Sequence, residues 1–154
     1  MELNSLGLPN WVDENEEIID SLEKFPKDTV GFIYLIQLSN GKKYIGKKNL
    51  YSERKKHFGK KQIKQITDKR LKTYEIIKKE SDWKNYIGSN KQLKEDVKSG
   101  VRILKRKIIL SCNNSKKLTF YEIKAMILYD VLIDEDFYND NILGKFYRKD
   151  LINE

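Results

Sequence analysis

The chain has 154 residues, of which 31 are lysine or arginine, 23 are aspartate or glutamate, one is histidine and one is cysteine. This length predicts one domain, the single cysteine excludes an internal disulfide and a multi-cysteine metal cluster, and the single histidine excludes most histidine-based zinc sites. No apolar run is long enough to span a membrane and the acidic first residues lack the features of a signal peptide, so we expect a cytoplasmic protein without a membrane partner.

The net charge of +8 lies mostly in the middle of the chain. Residues 42–72 carry thirteen basic and two acidic side chains and residues 73–120 add a net charge of +7, whereas residues 1–30 and 121–154 are acidic. Aromatic residues are interleaved with the lysines of this central block, which is typical of surfaces that bind phosphates and stack on bases. The charge therefore indicates a nucleic-acid partner, with a solvated lysine-rich surface as the alternative.

The elements at the start of the chain are a helix and a hairpin. A capping box followed by an apolar stripe predicts a helix over residues 13–24, inside an acidic N-terminal appendage of residues 1–28. Residues 29–37 and 43–46 have the composition of strands, and the Asn40-Gly41 pair between them is a hairpin turn signal.

Helical patterns dominate the remainder. Residues 51–64 are basic with some helical character, and apolar residues three apart predict a helix over 70–79. Capping boxes predict helices over 89–100 and 119–132, and residues 101–111 read as a third strand. The expected fold is an α/β (α+β) domain with a small three-stranded antiparallel sheet flanked by helices.

The hairpin carries a pair of tyrosines that is followed by an arginine and, much later, by a glutamate: Gly31-Phe32-Ile33-Tyr34, Tyr44-Ile45-Gly46, Arg54 and Glu122. In order and spacing this set resembles the GIY-YIG nuclease family, especially its phage-type, free-standing homing-endonuclease-like members. The resemblance also rests on four segments: YIGKK at 44–48, SDWKNYIGS at 81–89, LTFYE at 118–122 and FYNDNI at 137–142. The first motif has one residue more than the contiguous Gly-Ile-Tyr form.

The resemblance implies a DNA endonuclease that uses one Mg²⁺ or Mn²⁺ ion per active site, with Glu122 as the metal ligand. The implied catalytic residues are Tyr34, Tyr44, Lys47, Arg54 and Glu122. A tyrosine that receives a proton from water, cations that stabilise the phosphate and a metal-bound carboxylate would together supply phosphodiester hydrolysis. Lys47 and Lys48 follow Tyr44 closely, so we expect them to favour its phenolate.

The resemblance and the basic segments also give a second set of candidate residues. His57 and Asn139 are additional catalytic candidates by resemblance, with Asn141 as the alternative to Asn139. The expected nucleic-acid-binding residues are Lys48, Lys55, Lys56, Lys60, Lys61, Lys64, Trp83 and Ser89. The nuclease-like domain is predicted over residues 29–154, with a basic, DNA-contacting insertion at 55–88. One active site would cut one strand, so double-strand cleavage would require a homodimer or two visits.

Each candidate also has an ordinary structural explanation. Glu122 stands three residues after Thr119 and would fit a helix cap, the two tyrosines would fit a cross-strand aromatic pair, and Arg54 would fit a solvated basic run. Trp83 would equally suit the core. The alternative function is a catalytically inactive nucleic-acid-binding protein on the same fold.

Overall fold

The computed structural model describes residues 2–66, 68 and 70–152. Lys69, one of the basic residues of the central block, lies outside the described residues. The chain forms two compact units: a main unit, Met1–Leu50 with Asp82–Glu154, and a smaller ribbon unit, Tyr51–Ser81.

Nine strands and four α-helices are present in the described part of the chain. The strands are β1 (Trp11–Val12), β2 (Ile18–Ile19), β3 (Gly31–Leu38), β4 (Lys43–Asn49), β5 (Tyr51–His57), β6 (Tyr74–Glu80), β7 (Ile103–Cys112), β8 (Asn141–Ile142) and β9 (Phe146–Tyr147). The α-helices are α1 (Lys60–Lys64), α2 (Lys91–Lys98), α3 (Ser115–Leu128) and α4 (Arg148–Ile152), and two 3-10 turns cover Leu22–Lys24 and Trp83–Asn85. No helix in the described part of the chain is long and apolar enough to cross a membrane.

The main unit is built on a five-stranded sheet in the order β2-β1-β7-β3-β4. β3 pairs antiparallel with β4 and β7, and β1 pairs parallel with β7. Because side chains alternate between the faces of a strand, β3 supplies two cores. On one face Ile33 and Leu35 pack into a cluster with Leu118 of α3, and on the other Phe32 and Tyr34 pack with Trp11.

The prediction of three strands is wrong because it missed β1 and β2, and the helix predicted over 13–24 is absent. Asp13 does not cap a helix: its carboxylate accepts hydrogen bonds from the backbone N–H groups of Asn15 and Glu17, which closes a turn. Glu16 has a φ of 64°, a left-handed conformation that interrupts any helix. The turn joins β1 to β2, and Trp11 on β1 is 1% exposed, so this segment belongs to the main unit and is not a helical appendage.

The ribbon unit is a two-stranded antiparallel ribbon, β5 paired with β6. The helix predicted over 70–79 is therefore wrong, because β6 pairs along its whole length and places Ile76 and Ile77 on opposite faces. None of the described residues of the ribbon unit is fully buried. Residues 82–88 of the predicted insertion lie in the main unit, and whether the ribbon is an insertion stays a prediction.

The hairpin, the third strand and the helix over 89–100 follow the predictions, whereas the helix predicted over 119–132 is observed four residues earlier, as α3. The hairpin of β3 and β4 and the strand β7 are confirmed. The helix α2 begins one residue later than its predicted capping box, because the Asn90 side chain, not that of Ser89, accepts the hydrogen bond from the Leu93 N–H. Gly100 follows the end of α2 with a φ of 108°, as the helix-terminating role requires.

Candidate active site

Tyr34 and Tyr44 lie on one face of the hairpin, with ring centroids 6.2 Å apart. Tyr34 pairs across the strands with Gly46, and a Cβ added at Gly46 would come within 2.7 Å of the Tyr34 ring carbon Cζ. A glycine is needed there because any side chain would occupy the space of the ring. The glycine of the second motif therefore leaves the space beside β4 that the Tyr34 ring occupies.

The segment 86–89 covers the same tyrosines from the other side. A Cβ added at Gly88 would lie 3.0 Å from the Tyr44 ring, and Gly88 has a φ of 98° that favours glycine. Directly after it, the Ser89 hydroxyl lies 3.3 Å from the Tyr44 hydroxyl. Tyr34 is 1% exposed beneath this segment, whereas the Tyr44 and Ser89 hydroxyls meet at the surface. Of the two tyrosines, Tyr44 is the one that a substrate could reach.

Burial sets the protonation of both tyrosines. Loss of solvent raises the pKa of Tyr44 above its usual value, with Ser89 acting in the opposite direction through its hydrogen bond and the Glu122 carboxylate adding to the increase. The pKa of Tyr34 is raised further, again mainly by burial. No lysine is among the main influences on the pKa of Tyr44, and the expectation that Lys47 and Lys48 favour its phenolate stays a prediction. Tyr44 is a neutral phenol at neutral pH.

Glu122 lies in the second turn of α3, not at its start. The helix begins at Ser115, with the Asn114 side chain accepting a hydrogen bond from the Lys117 N–H. The cap predicted from Thr119 and Glu122 is therefore wrong. Glu122 is half-buried, and burial raises the pKa of its carboxyl group, while the Lys47 ammonium and the Lys47 backbone N–H act in the opposite direction. A carboxylate removed from water without a capping role is available for a ligand.

The two lysines after Tyr44 are held by other groups. Lys47 projects from β4 toward α3, where its Nζ donates a 2.8 Å hydrogen bond to the Thr119 hydroxyl. Lys48 forms a 2.6 Å ion pair with Asp82 and lies 4.1 Å from the centroid of the Tyr86 ring. Lys47 is thus a neighbour of Glu122. Lys48, through Asp82 and Tyr86, stabilises the segment that covers the tyrosines.

Trp83 was predicted to face nucleic acid, but the structure buries it completely. Its ring packs edge to face against Phe25 at 5.2 Å, and its carbonyl accepts a 2.8 Å hydrogen bond from the Trp11 indole N–H. Trp83 is therefore a core residue beneath the tyrosine-covering segment. Trp83 stands between the charged residues Asp82 and Lys84, which suggested a surface position. Its burial depends on tertiary packing that the sequence does not show.

Asn139 is 5% exposed, and its side chain bonds the backbone of β4. Its Oδ1 accepts from the Ile45 N–H at 3.1 Å, and its Nδ2 donates to the Ile45 carbonyl at 2.8 Å. Both ends of the amide are used, so Asn139 fixes the strand between Tyr44 and Gly46. Asn141 instead donates to the Asp140 side chain and accepts from the Gly144 N–H.

Two arginines that bind backbone carbonyls around the site, Arg148 and Arg106, were not predicted from the sequence. The guanidinium of Arg148 donates to the carbonyls of Val131, Asp134, Phe137 and Asn139. Arg106, fully buried, donates to the carbonyls of Pro9 and Tyr86, and burial lowers its pKa to about 10. Both lie outside any recognised motif, and their carbonyl partners carry no sequence signal.

The other candidates lie on the ribbon unit. Arg54, Lys55, Lys56 and His57 are exposed on β5. Arg54 pairs across the ribbon with Ile77, and His57 with Tyr74, which puts the two on opposite faces. A separation of three residues would have kept them together on a helix, the conformation suggested by the sequence. Lys60, Lys61 and Lys64 lie on the short helix α1.

The chemistry of Glu122 fits a divalent cation. Mg²⁺ prefers oxygen ligands and often takes one or two carboxylates, completing its shell with water and substrate phosphate. Among the described residues no group of three His, Cys, Asp or Glu side chains could form a protein cage for a metal. The half-buried Glu122, with Lys47 already bonded to Thr119, suits one ion that shares its coordination with substrate.

A tyrosine pair on adjacent antiparallel strands, with a helical glutamate in electrostatic range, is the arrangement that the resemblance to GIY-YIG nucleases implies. The family described as "Putative endonuclease segE, GIY-YIG domain" matches residues 11–142, and the chain belongs to this family of GIY-YIG endonuclease domains. The match begins at β1, inside the segment predicted to be an appendage. No curated protein and no solved structure is significantly similar to the chain.

Proposed function

We propose that this protein is a metal-dependent endonuclease that hydrolyses phosphodiester bonds of DNA. The observation that carries the proposal is the surface hydroxyl of Tyr44, paired with Ser89 and within electrostatic range of the half-buried Glu122. A proton acceptor and a metal-binding carboxylate near one another are what hydrolysis of a phosphodiester requires.

The residues divide into acting and positioning groups. Tyr44 would first release its own phenol proton to solvent, an ionisation that the Ser89 hydroxyl favours and that the charge of a bound cation would also favour. Its phenolate would then receive the proton of the attacking water. Glu122 would hold one Mg²⁺ or Mn²⁺ ion, which supplies Lewis-acid stabilisation of the phosphate and the departing 3′-oxygen. Tyr34, buried under Gly46 and Gly88, would position Tyr44 instead of contacting substrate.

The family resemblance also implies Arg54 and Lys47 as active-site residues. Arg54, a residue of the ribbon unit, would bind a phosphate of the DNA with its planar guanidinium. Lys47, beside Glu122, would keep that carboxylate ionised and ready for a cation, since its charge lowers the pKa that burial raises.

The proposal is tested by incubating purified protein with supercoiled plasmid in Mg²⁺ or Mn²⁺, with EDTA as the blank. Glu122→Gln and Tyr44→Phe should each lower the nicking rate by at least about 100-fold, the scale expected for loss of acid–base or metal catalysis. Glu95→Gln and Tyr129→Phe, exposed residues of the same types, should cut normally.

Wild-type protein that shifts plasmid in a gel but never cuts it would support the inactive DNA-binding alternative. Full activity of Glu122→Gln would reject the metal ligand while leaving the nuclease itself in place. Because one chain offers one Tyr44 and one Glu122, we expect nicked circles before linear product.

A further inference from the structure

The ribbon unit has no hydrophobic core of its own, although it is a compact unit of the chain. From Tyr51 to Ser81 none of the described residues is fully buried, and Ile76 is 53% exposed. A two-stranded ribbon without a covered face is marginally stable in water. Such an element is expected to gain stability from a partner.

The cations on the two faces of the ribbon differ in whether they contact neighbouring rings and carboxylates. On the face with Tyr51 and Tyr74, Lys55 lies 4.5 Å from the Tyr74 ring centroid, and Lys78 lies 3.8 Å from the Glu53 carboxylate and 5.8 Å from the Tyr51 ring centroid. His57 packs edge to face on Tyr74 at 5.9 Å. These charges are internally partnered.

The opposite face carries Arg54 and Lys56 on β5, and Lys79 on β6 opposite Ser52. All three cations are exposed, and within the described residues none forms an ion pair or lies over a ring. Glu75 stands opposite Lys56 in the register without forming a salt bridge with it. We call this surface, defined by Arg54, Lys56 and Lys79, the Arg54 face.

We propose that the Arg54 face binds the phosphate backbone of duplex DNA, while the tyrosine-bearing face of the ribbon does not. The proposal rests on the proposed nuclease function for the identity of the polyanion and extends the single contact of Arg54 to two lysines. Unpartnered cations gain free energy by releasing counterions from DNA, whereas Lys78 would first have to leave Glu53.

Shape favours DNA over RNA. The major groove of B-form DNA, about 12 Å wide, admits a two-stranded ribbon, while the major groove of A-form RNA is too narrow and deep for side chains to read. The register divides three of the six cationic candidates on this segment: Lys56 lies with Arg54 on the proposed DNA-binding face, and Lys55 lies on the other face.

Two adjacent lysines provide a matched pair for the test. Lys79→Gln and Lys78→Gln each remove one charge from β6, and the two residues point to opposite faces. Binding of the full chain to a fluorescent DNA duplex is measured by anisotropy in EDTA over a series of salt concentrations. Lys79→Gln should weaken binding several-fold and lower the magnitude of the slope of log Kd against log salt by about 0.9, the value for one lost phosphate contact. Lys78→Gln should change neither.

Equal losses in the two variants, or a larger loss in Lys78→Gln, would overturn the assignment of the face. If circular dichroism shows that Lys79→Gln disturbs the fold, Lys56→Gln on the other strand replaces it and the same outcome is required. An RNA duplex of the same length should bind more weakly, and tighter RNA binding would overturn DNA as the partner. Binding is read without divalent metal, so a failure of the nuclease proposal in the plasmid assay leaves this result interpretable.

Discussion

The hydroxyl groups of Tyr44 and Ser89 lie 3.3 Å apart at the surface of the tyrosine pair. Ser89 is the one group among the main influences on Tyr44 that lowers its pKa, against burial and nearby acids and phenols. Since Asn90 caps α2, the Ser89 hydroxyl has no helix-capping duty. The contact therefore bears on the ionisation of the residue that we propose to accept a proton.

Removing this hydroxyl should slow cleavage by raising the pKa of Tyr44. Ser89→Ala is expected to lower the nicking rate about tenfold at neutral pH, the equivalent of one hydrogen bond worth about 1.4 kcal/mol. The rate of the variant should recover as pH rises, and Ser89→Thr, which keeps the hydroxyl, should restore it. A pH-independent loss would mean that Ser89 acts through substrate binding instead.

The two glycines against the tyrosine rings should be irreplaceable. Gly46→Ala and Gly88→Ala each place a methyl group against Tyr34 or Tyr44, and Gly88→Ala adds strain at positive φ. We expect losses in the free energy of unfolding of about 1–3 kcal/mol, measured in urea, together with weaker cleavage. Gly59→Ala is the control, since a Cβ there finds its nearest atom at 4.0 Å. Stability of Gly46→Ala equal to that of the control would contradict the packing.

Asn139 and Arg148 should matter for stability more than for the chemical step. Asn139→Asp loses the donor to the Ile45 carbonyl, and Arg148→Lys loses the planar fork that reaches several carbonyls. Each should cost about 2 kcal/mol in urea denaturation. Lys149→Ala, an exposed neighbour in sequence, should cost less than about 0.5 kcal/mol. Asn141→Ala removes side-chain bonds within its own turn only and should cost less than Asn139→Asp. A larger loss of unfolding free energy in Asn141→Ala than in Asn139→Asp would mean that Asn141, and not Asn139, is the asparagine that stabilises this part of the fold.

Alkaline pH should destabilise the fold through Tyr34. Its pKa is raised in the folded state, so below the unfolded value of 10.0 the phenol is neutral in both states and stability is unaffected. Above that value only the unfolded state ionises, and stability falls by about 1.4 kcal/mol between pH 9 and pH 11. In Tyr34→Phe the free energy of unfolding should fall less over this interval, even if the substitution also changes stability by an amount that does not depend on pH. Parallel pH profiles of the two proteins would contradict this account.

Turn residues and residue composition, which act within a few positions of the chain, predicted the hairpin correctly. The β3–β4 hairpin follows from its Asn-Gly turn and β-branched residues, and the family's tyrosines and glutamate follow from their order along the chain. The ribbon was missed because the apolar spacing in 70–79 suits a helix, while the pairing with residues 51–57 that makes β6 a strand is non-local. Burial of Trp83 and the carbonyl contacts of Arg106 and Arg148 depend on tertiary packing, which composition and periodicity do not encode.

The outer edge of β4 is covered by side chains and loop backbone. Lys43 exchanges hydrogen bonds with Asp136 and Tyr138, Ile45 is bonded by Asn139, and the Lys47 N–H interacts with Glu122. The opposite edge strand, β2, is only two residues long. Exposed strand edges invite pairing with another chain, so this covering protects the sheet against edge-to-edge aggregation. Any assembly of two copies for double-strand cleavage would have to use a surface other than a continuous sheet across the β4 edge.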